Sequence, residues 1–247
     1  MAISTDRIIQ KLDSYLHKND YESAKRHLLY WNAEARSSED HRAELLTLNE
    51  LMGLYRKLGE RDEALSCADA AMSKIDALGI GGQVGSATTL LNCATVYKAF
   101  SMSEQALPIF ERARAIYEAE LDENDARLGG LYNNMALALC DCKRFDEAAI
   151  LNDKAIEVMK NNRSYLEVAI TLLNMATAKE NEKGIEDSCE YVEQRLDEAR
   201  EYLDNWENKN GYYAFVCEKC ATVYGYYGHF AYEKELTDRA RRIYEGA

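Results

Sequence analysis

One proline in 247 residues leaves almost nothing to interrupt a helix, because proline both lacks an amide donor and clashes with the preceding turn. Basic charge is short too. Lys plus Arg is 30 against 43 for Asp plus Glu, a net charge of -13, which disfavours nucleic acid and anionic membranes, since both attract cationic surfaces. Apolar residues never run on for the length of a membrane span. The first sixteen residues alternate Ile8, Ile9 and Leu12 with Asp6, Arg7, Gln10 and Lys11, so no secretory signal is expected there.

Catalytic signatures are missing in turn. His17, His27, His41 and His229 are scattered and form no HExxH pair, and there is no Walker lysine and no GxSxG elbow. The one glycine-rich stretch, residues 79–85, lacks the third glycine of a dinucleotide loop and joins two helical patterns with no strand before it. Seven cysteines, an odd number without a regular framework, suit reduced thiols in a cytosol. Cys217 and Cys220 form a lone CxxC, and Cys140 and Cys142 a close pair. A zinc site needs four ligands, so these thiols read as small apolar residues. No enzyme, metal or cofactor is expected.

What is present is helix former in abundance, arranged in repeats. Ala24, Ala64, Ala106 and Ala148 each close a polar turn and open an amphipathic stretch, at spacings of 40, 42 and 42 residues. A fixed period of this size marks an internal repeat. Tyr15, Tyr55 and Tyr97 stand nine residues before the marker, with Leu139 in the fourth repeat. Ala71, Ala113 and Ala155 stand seven after it, small enough to let helices approach closely. The register then loosens, with Ser188 and Glu233 at the marker position. Ser103 is expected to cap its helix, with Pro108 five residues on. The expected fold is an all-α, right-handed solenoid of six antiparallel hairpins, over residues 5–36, 40–78, 83–120, 125–160, 164–206 and 211–246, in one domain spanning 1–247.

These repeats resemble the tetratricopeptide repeat of the kinesin light chain type, whose period is about 42 residues and whose first arm reads Leu-Asn-Asn-Leu-Ala. Leu91-Asn92-Cys93-Ala94, Tyr132-Asn133-Asn134-Met135-Ala136 and Leu173-Asn174-Met175-Ala176 carry the likeness, with Ala106-Leu107-Pro108 and the acidic linker at residues 121–126. The resemblance implies that first arms line a concave groove. It also implies a cytoplasmic adaptor that binds a protein or peptide partner.

Asn92, Asn134 and Asn174 each lie fourteen residues before the marker. An asparagine amide offers a donor and an acceptor, so a row of three would pair with the main chain of an extended peptide or tie neighbouring helices together. Thr95 and Thr177 lie one turn on. Asn49, Arg56 and Lys57 join from the second repeat, Lys98 marks a basic end, and Asp141 and Glu180 mark an acidic one. Arg56 and Lys98 would select acidic side chains. Tyr212, Tyr213, Phe215, Tyr224, Tyr226, Tyr227, Phe230 and Tyr232 crowd the last hairpin, where about half should be core and the rest should cap the stack or form a self-association or partner surface. Two other functions stand beside the adaptor: a regulatory module that senses a peptide, and a self-associating scaffold.

Overall fold

The computed structural model describes residues 3–246, which form twelve α-helices and no strand. The helices are α1 (Thr5–Leu16), α2 (Tyr21–Ser37), α3 (His41–Leu58), α4 (Arg61–Leu78), α5 (Val84–Ala99) and α6 (Ser103–Glu120), then α7 (Ala126–Asp141), α8 (Phe145–Asn161), α9 (Tyr165–Lys183), α10 (Ile185–Asp204), α11 (Gly211–Tyr226) and α12 (Phe230–Tyr244). They pair in order as six hairpins. The chain divides between Glu120 and Leu121 into two compact units of three hairpins each.

One local device makes most of the turns. In the left-handed region lie Asn19, Ser101 and Lys143, and also Gly59 and Gly228, each two residues before a second helix starts. The amide that follows then reaches back five residues to close the first helix: Asp20 N to Tyr15 O (2.9 Å), Glu60 N to Tyr55 O (2.9 Å), Met102 N to Tyr97 O (3.0 Å) and Arg144 N to Leu139 O (2.9 Å). This is a Schellman closure, which satisfies carbonyls that a helix end would otherwise leave open. Side chains cap the start of several helices: Asp20 accepts from Ser23 N (3.1 Å), Asp40 from Ala43 N (3.0 Å) and Asn210 from Tyr213 N (3.1 Å). Ser103 is the first residue of α6, and the helix runs through Pro108 to Glu120.

Packing follows the alanine register. Ala24, Ala64, Ala106, Ala148, Ala71, Ala113 and Ala155 are all buried, as are Ala94, Ala136 and Ala176 on the first helices. With no side chain beyond Cβ, they bring helix backbones together and leave the larger Ile75, Leu90, Phe110, Tyr117 and Leu131 to fill the layers between. The fifth hairpin joins differently. Only Gly184 separates α9 from α10, at φ 82° and ψ 165°, a conformation open to glycine. In the last hairpin Tyr232 and Leu236 are buried one residue earlier than a frame with Glu233 at the marker, while the buried Ala240 keeps the place seven residues after it. The carboxylate of Glu233 instead lies against Gly225, where a Cβ would collide with it.

Candidate partner-binding surface

The first helices α3 and α5, α7 and α9, and α9 and α11 pack side by side, and the predicted Asn49, Asn92 and Asn174 lie at these joints. In the first unit, Asn92 Nδ2 on α5 donates to Asn49 Oδ1 on α3 at 2.9 Å. Asn49 Nδ2 in turn donates to Thr89 Oγ1 at 2.9 Å and to its own helix at Leu45 O. In the second unit, Asn174 Nδ2 on α9 donates to Asn133 Oδ1 on α7 at 3.0 Å, and Thr171 Oγ1 donates to that same oxygen at 3.3 Å. The two clusters are one device in two copies. Each uses an asparagine fifteen residues before the marker, then an asparagine fourteen and a threonine seventeen before the next hairpin's marker.

The copies also fix which way the amides point. Because Nδ2 of Asn92 and of Asn174 is spent on a neighbour, their Oδ1 atoms face away from it. Those oxygens accept no hydrogen bond among the described residues and are not enclosed. Asn134 behaves differently, donating to Gly130 O of its own helix at 2.9 Å. Thr95 and Thr177 likewise turn back, to Leu91 O (2.8 Å) and Leu173 O (3.2 Å). Arg56 is exposed in the last turn of α3, Lys98 is half-buried in the last turn of α5, and Asp141 is exposed at the end of α7. Arg56 and Lys98 also meet the negative end of their own helix. Lys57 lies over the Tyr21 ring, 4.8 Å from its centroid.

Asn133, Thr89 and Thr171 were not among the predicted residues, although Asn49 and Asn133 share one register position and could have been found by it. Between α9 and α11 tyrosines take over the joining role. Tyr212 donates to Glu167 Oε1, and Tyr226 and Tyr227 donate to the two oxygens of Glu180, all at 2.7 Å. Burial, and then the bond to Glu180, pushes the Tyr227 hydroxyl well above the usual tyrosine range. Glu180, predicted as an acidic lining residue, is thus held by two hydroxyls. Tyr213, Tyr224 and Tyr232 are core, while Tyr212, Phe215, Tyr226 and Phe230 are exposed.

Chemistry beyond hydrogen bonding has little to work with. Cys217 and Cys220 are buried, and burial pushes the Cys220 thiol up to about 12, so it stays protonated and a poor nucleophile or ligand. Among the described residues no three His, Cys, Asp or Glu side chains gather as metal ligands, and no helix is long and apolar enough to cross a membrane.

Residues 43–119 match the tetratricopeptide repeat family. No curated protein matches the sequence. Among solved structures, BtubC (BKLC) from P. vanneervenii superposes with a TM-score of 0.60 at 16% identity, over 93% of this chain and 91% of that one. A putative kinesin light chain from Podosopora anserina with nearly identical TPR-like repeats gives 0.55 at 15%, over 86% and 95%. MamA gives 0.55 at 13%, over 83% and 99%. At such identities the likeness is one of fold: the chain has a tetratricopeptide-like repeat fold of the kind seen in kinesin light chain repeats.

Proposed function

We propose that this protein is a non-enzymatic adaptor that holds an extended peptide or partner segment against its first helices. The observation that carries the reading is the repeated asparagine clip, in which Asn92 and Asn174 are oriented by a neighbour and left with an outward Oδ1. A preset acceptor pairs with a main-chain N–H whatever the side chain beside it, and no side-chain entropy remains to be lost on binding. Asn134, whose Nδ2 is spent on Gly130 O of its own helix, would contribute its Oδ1 in the same way. Asn49 and the hydroxyls of Thr95 and Thr177 support the surface. Arg56 and Lys98 would meet acidic side chains in the first unit, and Asp141 would meet basic ones in the second.

Capture of partners from the source lysate tests the reading. Wild type should retain partners that an Asn92→Ala, Asn134→Ala, Asn174→Ala triple variant loses. The same partners on both baits would overturn it.

Self-association is a second reading, favoured by the exposed Tyr212, Phe215, Tyr226, Phe230 and Tyr244 of the last hairpin. Exposed aromatic side chains are enriched at interfaces between proteins. Light scattering over a concentration series should then show a mass rising above 28.1 kDa, and a constant monomer mass would remove this reading.

A further inference from the structure

We propose that Asn210 is a self-modifying site: its side-chain amide is lost to attack by the next residue's backbone nitrogen, and the isoaspartate that results releases the start of α11. Asn210-Gly211 is the one Asn-Gly bond in the chain. In the reaction the Gly211 nitrogen bonds to Asn210 Cγ, the Cγ–Nδ2 bond breaks, and ammonia leaves with the proton that Gly211 gives up. Water then opens the five-membered imide. Attack at Cγ yields aspartate, whereas attack at the main-chain carbonyl carbon yields isoaspartate, whose chain runs through Cβ and Cγ. Nothing is oxidised or reduced, and water is the sole co-reactant.

The fold leaves this reaction open. Both residues are exposed in the link between α10 and α11, and nothing lies within 4 Å of where a Gly211 Cβ would stand. Gly211 begins the helix, where first-turn amides have no intrahelical acceptor, and its N–H donates to no group among the described residues. Ring closure requires Cβ and the Gly211 nitrogen to eclipse about the Cα–C bond. Asn210 stands at φ -94° and ψ -175°. That is nearer to the eclipsed arrangement than a helical ψ of about -42° or a strand ψ of about +135°. Tyr213 N donates to Asn210 Oδ1 at 3.1 Å, which draws electrons from Cγ and steadies the negative charge that attack places on the oxygen.

Other asparagines lack the combination. Asn92, Asn134 and Asn174 lie inside helices, where the following amide is tied to a carbonyl one turn back. Asn205 and Asn208 share the exposed link but precede Trp206 and Lys209, whose side chains crowd the attacking nitrogen.

The place of the site makes its product matter. Asp20, Asp40 and Asp125 cap α2, α3 and α7, whereas α11 is capped by an amide. Conversion to aspartate keeps the cap and adds charge of the sign that a helix N-terminus favours. Isoaspartate inserts a methylene into the main chain and takes the acceptor away from Tyr213 N. Tyr212, two residues on, bridges to Glu167 of α9, so the loosened turn is also a joint to the fifth hairpin.

The test is incubation of the full chain in mildly alkaline buffer, then peptide mass mapping with aspartate and isoaspartate separated. Asn210 should convert about tenfold faster than Asn205 and Asn208, and Gly211→Ala should slow it about tenfold by placing a Cβ beside the nucleophile. The denatured chain supplies the rate of the bare sequence, and the folded chain should stay within about tenfold of it. Amides in the first turn of α11 should exchange about fivefold faster in the isoaspartate fraction, the loss of one cap. The aspartate fraction and Asn210→Ser should match fresh protein. An Asn210 that converts no faster than Asn205 and Asn208, a folded rate more than about tenfold below the denatured one, Gly211→Ala converting like wild type, products without isoaspartate, or an isoaspartate fraction with unchanged exchange would overturn the proposal.

Discussion

In the first unit amide clips tie neighbouring helices beside ion pairs and one tyrosine bridge, from Tyr97 to Asp69, whereas in the second tyrosines do much of the tying. Asn32 with Thr47, and Asn49 with Asn92 and Thr89, join successive hairpins before residue 120. After it the asparagine clip appears once more, and then Tyr212, Tyr226 and Tyr227 bridge to carboxylates. Inside the last two hairpins the buried hydroxyls of Tyr213 and Tyr224 donate to Leu203 O (3.1 Å) and Leu196 O (2.7 Å), and Tyr232 donates to Asp204 while the Arg200 guanidinium stacks 4.2 Å from its ring centre. A short amide fixes spacing with little apolar area. A tyrosine adds a large apolar body to the same bond, but makes the joint depend on a proton.

The largest way to separate the units is alkaline pH. Burial raises the hydroxyls of Tyr212, Tyr213, Tyr224, Tyr227 and Tyr232 from the ordinary value of 10.0, with Tyr213 pushed up to about 12. In the first unit Tyr55 and Tyr97 are raised as well, Tyr97 to about 12. Raised thiols occur in both units, at Cys67 and Cys93 and at Cys217 and Cys220, so the tyrosines make the difference. A raised folded value means the stabilisation is complete below pH 10.0 and is lost as pH climbs through the raised values. Hydrogen exchange between pH 9 and 11 should show amides of α9–α12 losing protection ahead of those of α3–α6. Equal loss would erase the distinction.

Next in size is Tyr224→Ala. Removing a fully buried tyrosine should cost about 3–5 kcal/mol, read as a lower denaturant midpoint. If only amides after residue 120 become labile, the units fold apart. A single transition covering both would mark one cooperative stack, as nearest-neighbour coupling in repeat proteins allows.

A smaller test asks whether the two clips are equal. Asn92→Ala and Asn174→Ala should each cost about 1 kcal/mol, in the first and second unit respectively. A neutral result in one copy would mean that its amide serves a partner more than the fold. Smallest is Arg112→Ala. Its 2.7 Å pair with Asp76 is solvent-exposed, and such pairs contribute about 0–1 kcal/mol, so the midpoint should barely move and the first unit's dependence on its half-buried amides should stand out.

The architecture was largely legible because it repeats. Alanines at Ala64, Ala106 and Ala148, with partners seven residues on at Ala71, Ala113 and Ala155, mark where backbones approach, and no distant contact is needed to see them. The clip was half legible. Asn92 and Asn174 stand out by register, but their partner position is one residue off the row, and a one-residue step on a helix turns a side chain by about 100°. Asn134 looked like a third member by register, and it bonds to its own helix. The role of Glu180 was hidden, since its two tyrosine partners lie 46 and 47 residues away, outside the 40–42 period. The Asn210-Gly211 bond was visible in the last linker, yet that its amide caps α11 is a fact only the fold can supply.

The left-handed turn residues carry a consequence for timing. Asn19, Ser101 and Lys143 adopt that conformation without being glycine, and each turn closes with a bond across five residues. Loops this short close in about 10–100 ns, whereas a ribosome adds about 5–20 residues per second. Each turn is therefore set long before the next helix has been synthesised. A nascent hairpin meets its own partner first, so helices that look much alike are sorted by order of arrival before they compete by affinity.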